Sequence, residues 1–289
     1  MVIKHRGLEV FPAINGIILA LAAFLCFLPF YYVFTISLSE ATQVREGVIS
    51  LLPQGFSLEA YQTIFRQAAF FNAFRTTVIR TVLGTAVNLA LQATFGYALS
   101  RSYLKGRKIM LIMVVFTILF NPGIIPNYLI VRYTGLIDTI WALIIPNAIN
   151  SFNVLVLVSF FASIPDSIEE SAKMDGANDI IIFWKLMIPL SLPAIATISL
   201  FISVFHWNSL MDGIMYINKS TLKPLQVYLM DLVMRTQTEG LTGGESDTEL
   251  TTITIQTAAI FAGTLPILLI YPFVQRYFMK GIMLGAIKG

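Results

Sequence analysis

Charged residues are scarce in this chain. Asp, Glu, Lys and Arg make up 12% of its 289 residues, about half the share of a soluble globular domain. So little charge cannot cover a water-facing surface, and 56% of the residues are hydrophobic. Cysteine is nearly absent: Cys26 is the only one and sits inside an apolar run, which excludes a disulfide framework and a cysteine metal site. No Gly-x-x-x-x-Gly-Lys-Ser/Thr stretch occurs, so the chain lacks that means of cradling a nucleotide. No His-x-x-x-His pattern or carboxylate pair on a helix is evident. No catalytic residue, metal or cofactor is therefore expected in the chain itself. No basic stripe or recognition module points to nucleic acid.

Apolar sequence is abundant, and it comes in long runs. A bilayer core about 30 Å thick takes roughly 20 apolar residues as a helix. Six stretches free of Asp, Glu, Lys and Arg reach that length: 10–39, 81–100, 109–131, 139–165, 186–211 and 250–275. Lipid offers no hydrogen bonds, so each backbone group must find its partner within the segment. The expected fold class is therefore an all-α membrane protein with six transmembrane helices, and 1–289 reads as a single transmembrane domain. The first run follows Lys4 and Arg6 but exceeds the roughly 7–15 residues of a signal core. No small-residue cleavage pattern follows it, so it reads as a span.

Cations set the orientation. Lys4 and Arg6, then Arg101, Lys105, Arg107 and Lys108, then Arg276, Lys280 and Lys288 fall on one side if the spans alternate. That side is expected to be the cytoplasm of a bacterial cell. Both termini and the loop 166–185 then face inward, and 40–80, 132–138 and 212–249 face outward, although the outer segments carry cations too.

The loop at about 163–189, between spans four and five, reads as two short helices broken at Gly176. Ser163 with Pro165, or Ser167 with Glu170 as a capping box, starts the first. Ile168 and Ala172 share one face. Gly176 can take the left-handed conformation that ends a helix, and Asn178 can cap the second. Pro189 and Pro193 lead into the next span. A water-facing loop carrying Ile180, Ile181, Ile182, Phe183 and Trp184 needs a partner surface. Trp184 by itself reads better as lying at the lipid interface or on neighbouring spans.

Glu170-Ser-Ala-x-x-x-Gly176, then nine residues, then Leu186-x-Ile188-Pro189 resembles the coupling-loop signature of ATP-binding-cassette (ABC) importer permeases. Ser171 stands where the signature has its first Ala. Asp175-Gly176-Ala177, Tyr133-Thr-Gly-Leu-Ile-Asp-Thr139, His206-Trp-Asn208, Lys223-Pro-Leu-Gln226 and the stretch from Gln275 to Gly289 are similar to the carbohydrate, maltose-type branch and its shorter permease. The resemblance implies a type I importer fold with the coupling loop on the cytoplasmic side. It assigns ATPase coupling to Glu170, Ser171, Ala172, Asp175, Gly176 and Pro189. It also implies partners: a second permease subunit, two ATPase subunits holding ATP and Mg, and an extracytoplasmic binding protein.

Asn88, Gln92, Asn121, Asn127, Asn147, Asn150, Asn153 and Asn208 are the amides within the runs. Each can line a path or bond between helices, the commoner role. Asn150, Asn153, Trp207 and Asn208 are the candidates for a sugar path, since amides match hydroxyls and aromatic faces match pyranose rings. His206 is the one ionisable group within the runs and reads as a structural residue. Ion-coupled carriers commonly keep ionisable groups at membrane depth, so an ion-coupled carrier is a poorer reading than an ABC permease for another solute. Asn121-Pro-Gly-Ile-Ile-Pro126 is expected to bend span three, and Asn121-Pro-Gly-Ile-Ile-Pro-Asn-Tyr128 is similar to permeases for complex, sometimes acidic, oligosaccharides. The topology predicts that a reporter fused after Asp175 reads as cytoplasmic and one fused after Gly240 as external. Both on one side would refute it.

Overall fold

The computed structural model describes residues 10–44, 52–120, 122–241 and 252–269. Lys4, Arg6, Arg276, Lys280 and Lys288, expected to set orientation, lie outside these residues, as do Asn121 and the end of the sixth run. The described residues are helical, with one isolated bridge between Ser39 and Phe56. In chain order the helices are α1 (Val10–Ser37), α2 (Glu59–Arg66), α3 (Ala68–Ser100), α4 (Arg107–Leu119), α5 (Ile124–Tyr133) and α6 (Ser151–Ala162). Then come α7 (Asp166–Met174), α8 (Asp179–Ile182), α9 (Ile188–Leu190), α10 (Leu192–Asn208), α11 (Met211–Tyr216), α12 (Leu225–Leu241) and α13 (Thr252–Leu269).

Three of these, α1, α3 and α13, are long and apolar enough to cross a membrane, and three further bent pairs bring the number to six if each pair is one span. The third run is interrupted where expected. Pro122 has no N–H to donate, Gly123 takes φ +84°, and α4 meets α5 at 118°. The fourth run opens in two short 3-10 turns, Ile140–Leu143 and Ile145–Asn147, before α6. The second differs most from expectation. α3 begins 13 residues before Thr81 and spans 33 residues, about 50 Å at 1.5 Å per residue.

The chain divides into two compact units, Met1–Ala68 with Leu229–Leu265 and Ala69–Tyr228 with Pro266–Gly289. In the first, α1 buries none of its most apolar window, as suits a helix facing lipid. Phe34 packs against Phe261 with ring centroids 4.9 Å apart and planes tilted by 42°, and Ser37 Oγ and Tyr61 Oη share a hydrogen bond of 2.7 Å.

In the second unit an apolar cluster joins Ala93 and Tyr97 of α3, Leu157 and Phe161 of α6, and Ile198 and Ile202 of α10 to Ile182, Phe183 and Met187. Farther along α3, Gly84 lets His206 of α10 approach: a Cβ there would lie 2.5 Å from His206 Nε2. His206 is fully buried and bonds Asn88 at 2.9 Å, in keeping with the structural role expected of it.

The spans are not free of other ionisable groups, because the early start of α3 brings Arg80 into the helix. Arg80 is fully buried, pairs with Asp212 of α11 and donates to Ser209 O at 3.2 Å. Asp212 also accepts from Ser209 Oγ at 2.8 Å and Gly213 N at 2.7 Å. Asp212→Ala should leave a buried cation unpaired and cost about 3–5 kcal/mol, read as a lower melting temperature in detergent. Arg80→Met with Asp212→Leu should cost less. Equal losses would show that the charge pair is not what holds this part of α3.

Candidate functional site

The loop after α6 is built by its sequence in detail. α7 ends in a Schellman motif: Ala177 N–H donates to Ala172 O at 2.9 Å and Gly176 N–H to Lys173 O at 3.0 Å. That closure needs a left-handed residue, and Gly176 has φ +85°. Nothing lies within 4 Å of the position its Cβ would take, so the demand is on the backbone alone. Asn178 Oδ1 then caps α8 by accepting from Ile181 N–H at 2.9 Å.

The start of α7 differs from expectation. Pro165 occupies the cap position with no side-chain bond, Ser163 Oγ turns back to Phe160 O, and Ser171 Oγ bonds Ser167 O. After α8 the chain widens into a π-turn over Phe183–Met187 and, past Pro189, breaks at the buried Ser191. Asp179–Leu190 meets α10 at 85°.

Helical periodicity splits the apolar residues of this loop. Ile180, Ile181 and Trp184 are exposed, at 70%, 41% and 57%, and Met174 reaches 88%. Ile182 and Phe183 were expected on the same surface, but they point into the apolar cluster, where Ala172 and Ala177 also pack. Glu170, Ser171, Asp175 and Pro189 are exposed.

The acid that holds the loop is Glu169, which sequence reasoning missed. Glu169 is buried, with Oε2 2.6 Å from Arg101 Nη1 and Oε1 accepting from Lys173 Nζ at 2.7 Å and Tyr103 Oη at 2.9 Å. Burial resists its ionisation, but the bonds from Lys173 and Tyr103 and the charges of Arg101 and Lys173 prevail and hold its carboxyl below the usual range. The bond to Glu169 raises Lys173, and burial followed by the Glu169 bond raises Tyr103. An acid beside Glu170, with a cation just past the end of α3, was the available signal. Neither residue alone distinguishes a buried pair from a solvated one.

A second feature lies among the same helices. A cavity of about 290 Å³ is lined by Asn88, Gln92, Asn147, Asn150, Asn153 and the aromatic rings of Phe201 and Phe205, among others. Asn147, Ile149 and Asn150 also border a wider apolar groove that includes Phe116 and Phe152. None of the described lining residues of the cavity is charged.

Two of the four path candidates, Asn150 and Asn153, thus come together there; Asn150 also caps α6 by accepting from Asn153 N–H at 3.1 Å. The other two do not line it. Trp207 is buried edge-on against Phe74, and Asn208 donates to Val204 O in its own helix. Phe201 and Phe205 escaped sequence reading because, four residues apart on an apolar helix, they look like any lipid-facing pair.

No family model matches the chain. The polygalacturonan/rhamnogalacturonan transport system permease protein YtcP of Bacillus subtilis (strain 168) is 45% identical over 94% of this chain and 96% of its own. Protein LplC of the same organism is 38% identical over 97% of this chain and 96% of its own. One chain of a crystal structure of a bacterial ABC transporter involved in the import of the acidic polysaccharide alginate superposes with a TM-score of 0.85 at 32% identity, over 96% of this chain and 100% of that one. Agreement of sequence and helix arrangement along nearly the whole length makes this chain a member of the permease family of ABC importers.

Proposed function

We propose that this chain forms half of the transmembrane pathway of an importer for oligosaccharides, with acidic chains of the pectin or alginate kind as the leading substrate class. The observation that carries this is the near full-length similarity to a permease named for polygalacturonan and rhamnogalacturonan, joined by a solved alginate importer. The cavity of amides and aromatic rings suits hydroxyl-rich substrates. Its uncharged lining makes it a passage for sugar rings rather than a trap for carboxylates.

The three bent helix pairs each count as one span in this reading, giving six spans with both termini in the cytoplasm. An extracytoplasmic binding protein delivers the sugar to the outer face, and a second permease subunit completes the path. Two ATPase subunits bind ATP and Mg; this chain supplies no nucleotide site. Glu170, Ser171, Asp175 and Pro189, with Ile180 and Trp184 beside them, form the face that docks on an ATPase subunit. Ala172 and Gly176 hold that face in place, one by packing and one by its φ. Closure of the ATPases moves the loop and opens the path outward; hydrolysis resets it. Asn150 and Asn153 face the sugar in transit, and Trp207 and Asn208 flank the path.

The test is reconstitution of the four-part complex in vesicles. It should take up oligogalacturonate only with ATP and the binding protein, and this chain alone should hydrolyse no ATP. Uptake without the ATPase subunits would contradict the proposal. Gly176→Val should abolish uptake while the chain still inserts, because a β-branched residue strongly resists positive φ. Gly176→Asn should retain much of it, since Asn tolerates that conformation and no neighbour obstructs its side chain near the backbone. Equal loss in both would mean that the conformation of residue 176 is not the reason for glycine there.

A further inference from the structure

We infer that Glu169 and Arg101 are the positioning pair that carries displacement of the loop into the membrane-spanning helices, a role separate from docking by Glu170; the inference rests on the importer reading above. The geometry of Arg101 is the reason. Its guanidinium donates to Glu169 of α7 at 2.6 Å, to Phe161 O at the end of α6 at 3.2 Å and to Ser100 Oγ at the end of α3 at 3.1 Å. It also approaches Met187 Sδ of the π-turn at 3.8 Å and lies 4.8 Å over the Tyr97 ring. One side chain, 5% exposed, thus ties the loop to the inner ends of two spans and to the turn leading toward α10.

Glu169 answers from the other side. Only 4% exposed, it spends its second oxygen on Tyr103, just past α3, and on Lys173, one turn along α7. Lys173 closes the network 4.5 Å over the Tyr103 ring and 3.4 Å from Asp179 of α8. Moving α7 away from α3 or α6 would strand buried charges without water to replace their partners, which is strongly unfavourable. The surrounding apolar cluster is non-directional and tolerates sliding; the fork of Arg101 fixes the orientation of Glu169 as well as its distance. Loop and spans therefore shift together. Glu170, one residue on, is exposed and takes no part in this bonding.

The experiment is ATP hydrolysed per sugar taken up by the reconstituted complex, with co-purification of the ATPase subunits as the measure of docking. Glu169→Gln keeps the shape and removes the charge. It should keep the ATPase bound while raising ATP per sugar by at least about fivefold. Arg101→Lys retains a cation but cannot reach Glu169 and Phe161 O with one fork, and should give a smaller rise. Glu170→Gln should instead weaken co-purification. Should Glu169→Gln fail to insert, Arg101→Lys decides. Uptake by the parent complex tests the importer reading on its own. A transporting parent with unchanged ratios in the inserted variants overturns this inference alone, as does a loss of ATPase binding in Glu169→Gln equal to that in Glu170→Gln.

Discussion

A guanidinium removed from water must find partners for its donors within the protein, and Arg101 finds them on separate elements. Ser100, Phe161 and Glu169 each accept one, and Met187 and the Tyr97 ring complete the enclosure. This requirement fixes how the loop sits. With Glu169 buried, α7 can present only its other faces outward, and these carry Glu170 and Met174. The Schellman closure at Gly176 then sets the direction of the chain into α8, and the apolar cluster takes Ile182 and Phe183 while leaving Ile180 and Trp184 outside.

The same three helices that hold the loop also line the polar cavity. α3 gives Tyr97 to the cluster and Asn88 to the cavity, nine residues away and so about 14 Å along the axis. α6 gives Phe161 to one and Asn153 to the other, and α10 gives Ile198 and Phe205. A push on the loop therefore reaches helices whose other turns border the proposed path. Farther back along α3, about 30 Å from Ser100 at 1.5 Å per residue, the Arg80–Asp212 pair and the bond from Leu225 N to Thr77 Oγ fasten the helix again. α3 is thus fastened at its C-terminal end and again near its middle, which suits a rigid element transmitting motion between those points.

Much of this was legible in the sequence. Uncharged runs marked the spans because lipid excludes charge, and Asn121-Pro-Gly marked the break in the third because Pro and Gly are read locally. Gly176 and Asn178 were legible for the same reason: a cap depends on residues three or four apart. What could not be read depends on partners distant in the chain. The pairs Arg80–Asp212 and Arg101–Glu169 are 132 and 68 residues apart, and a lone charge beside an apolar run looks like a boundary, not a buried bond. Hence the uncharged run begins at Thr81 although α3 starts at Ala68, and nothing local marks Glu169 as a buried acid. The alternation within Ile180–Trp184 is not legible because three consecutive isoleucines hide which face is buried until Tyr97 and Phe161 are beside them.

In the proposed importer the outward face of this loop meets the ATPase. The most direct measurement is cysteine cross-linking in the assembled transporter, with Cys26 replaced by Ser so that no native thiol competes. Ile180→Cys lies on the exposed face of the loop, and Val82→Cys on an exposed face of α3 far from it. Position 180 should cross-link to an ATPase subunit, with a yield that changes when ATP is bound, and position 82 should not. A transporting complex in which position 180 never cross-links to the ATPase, or in which position 82 does so equally well, would contradict it.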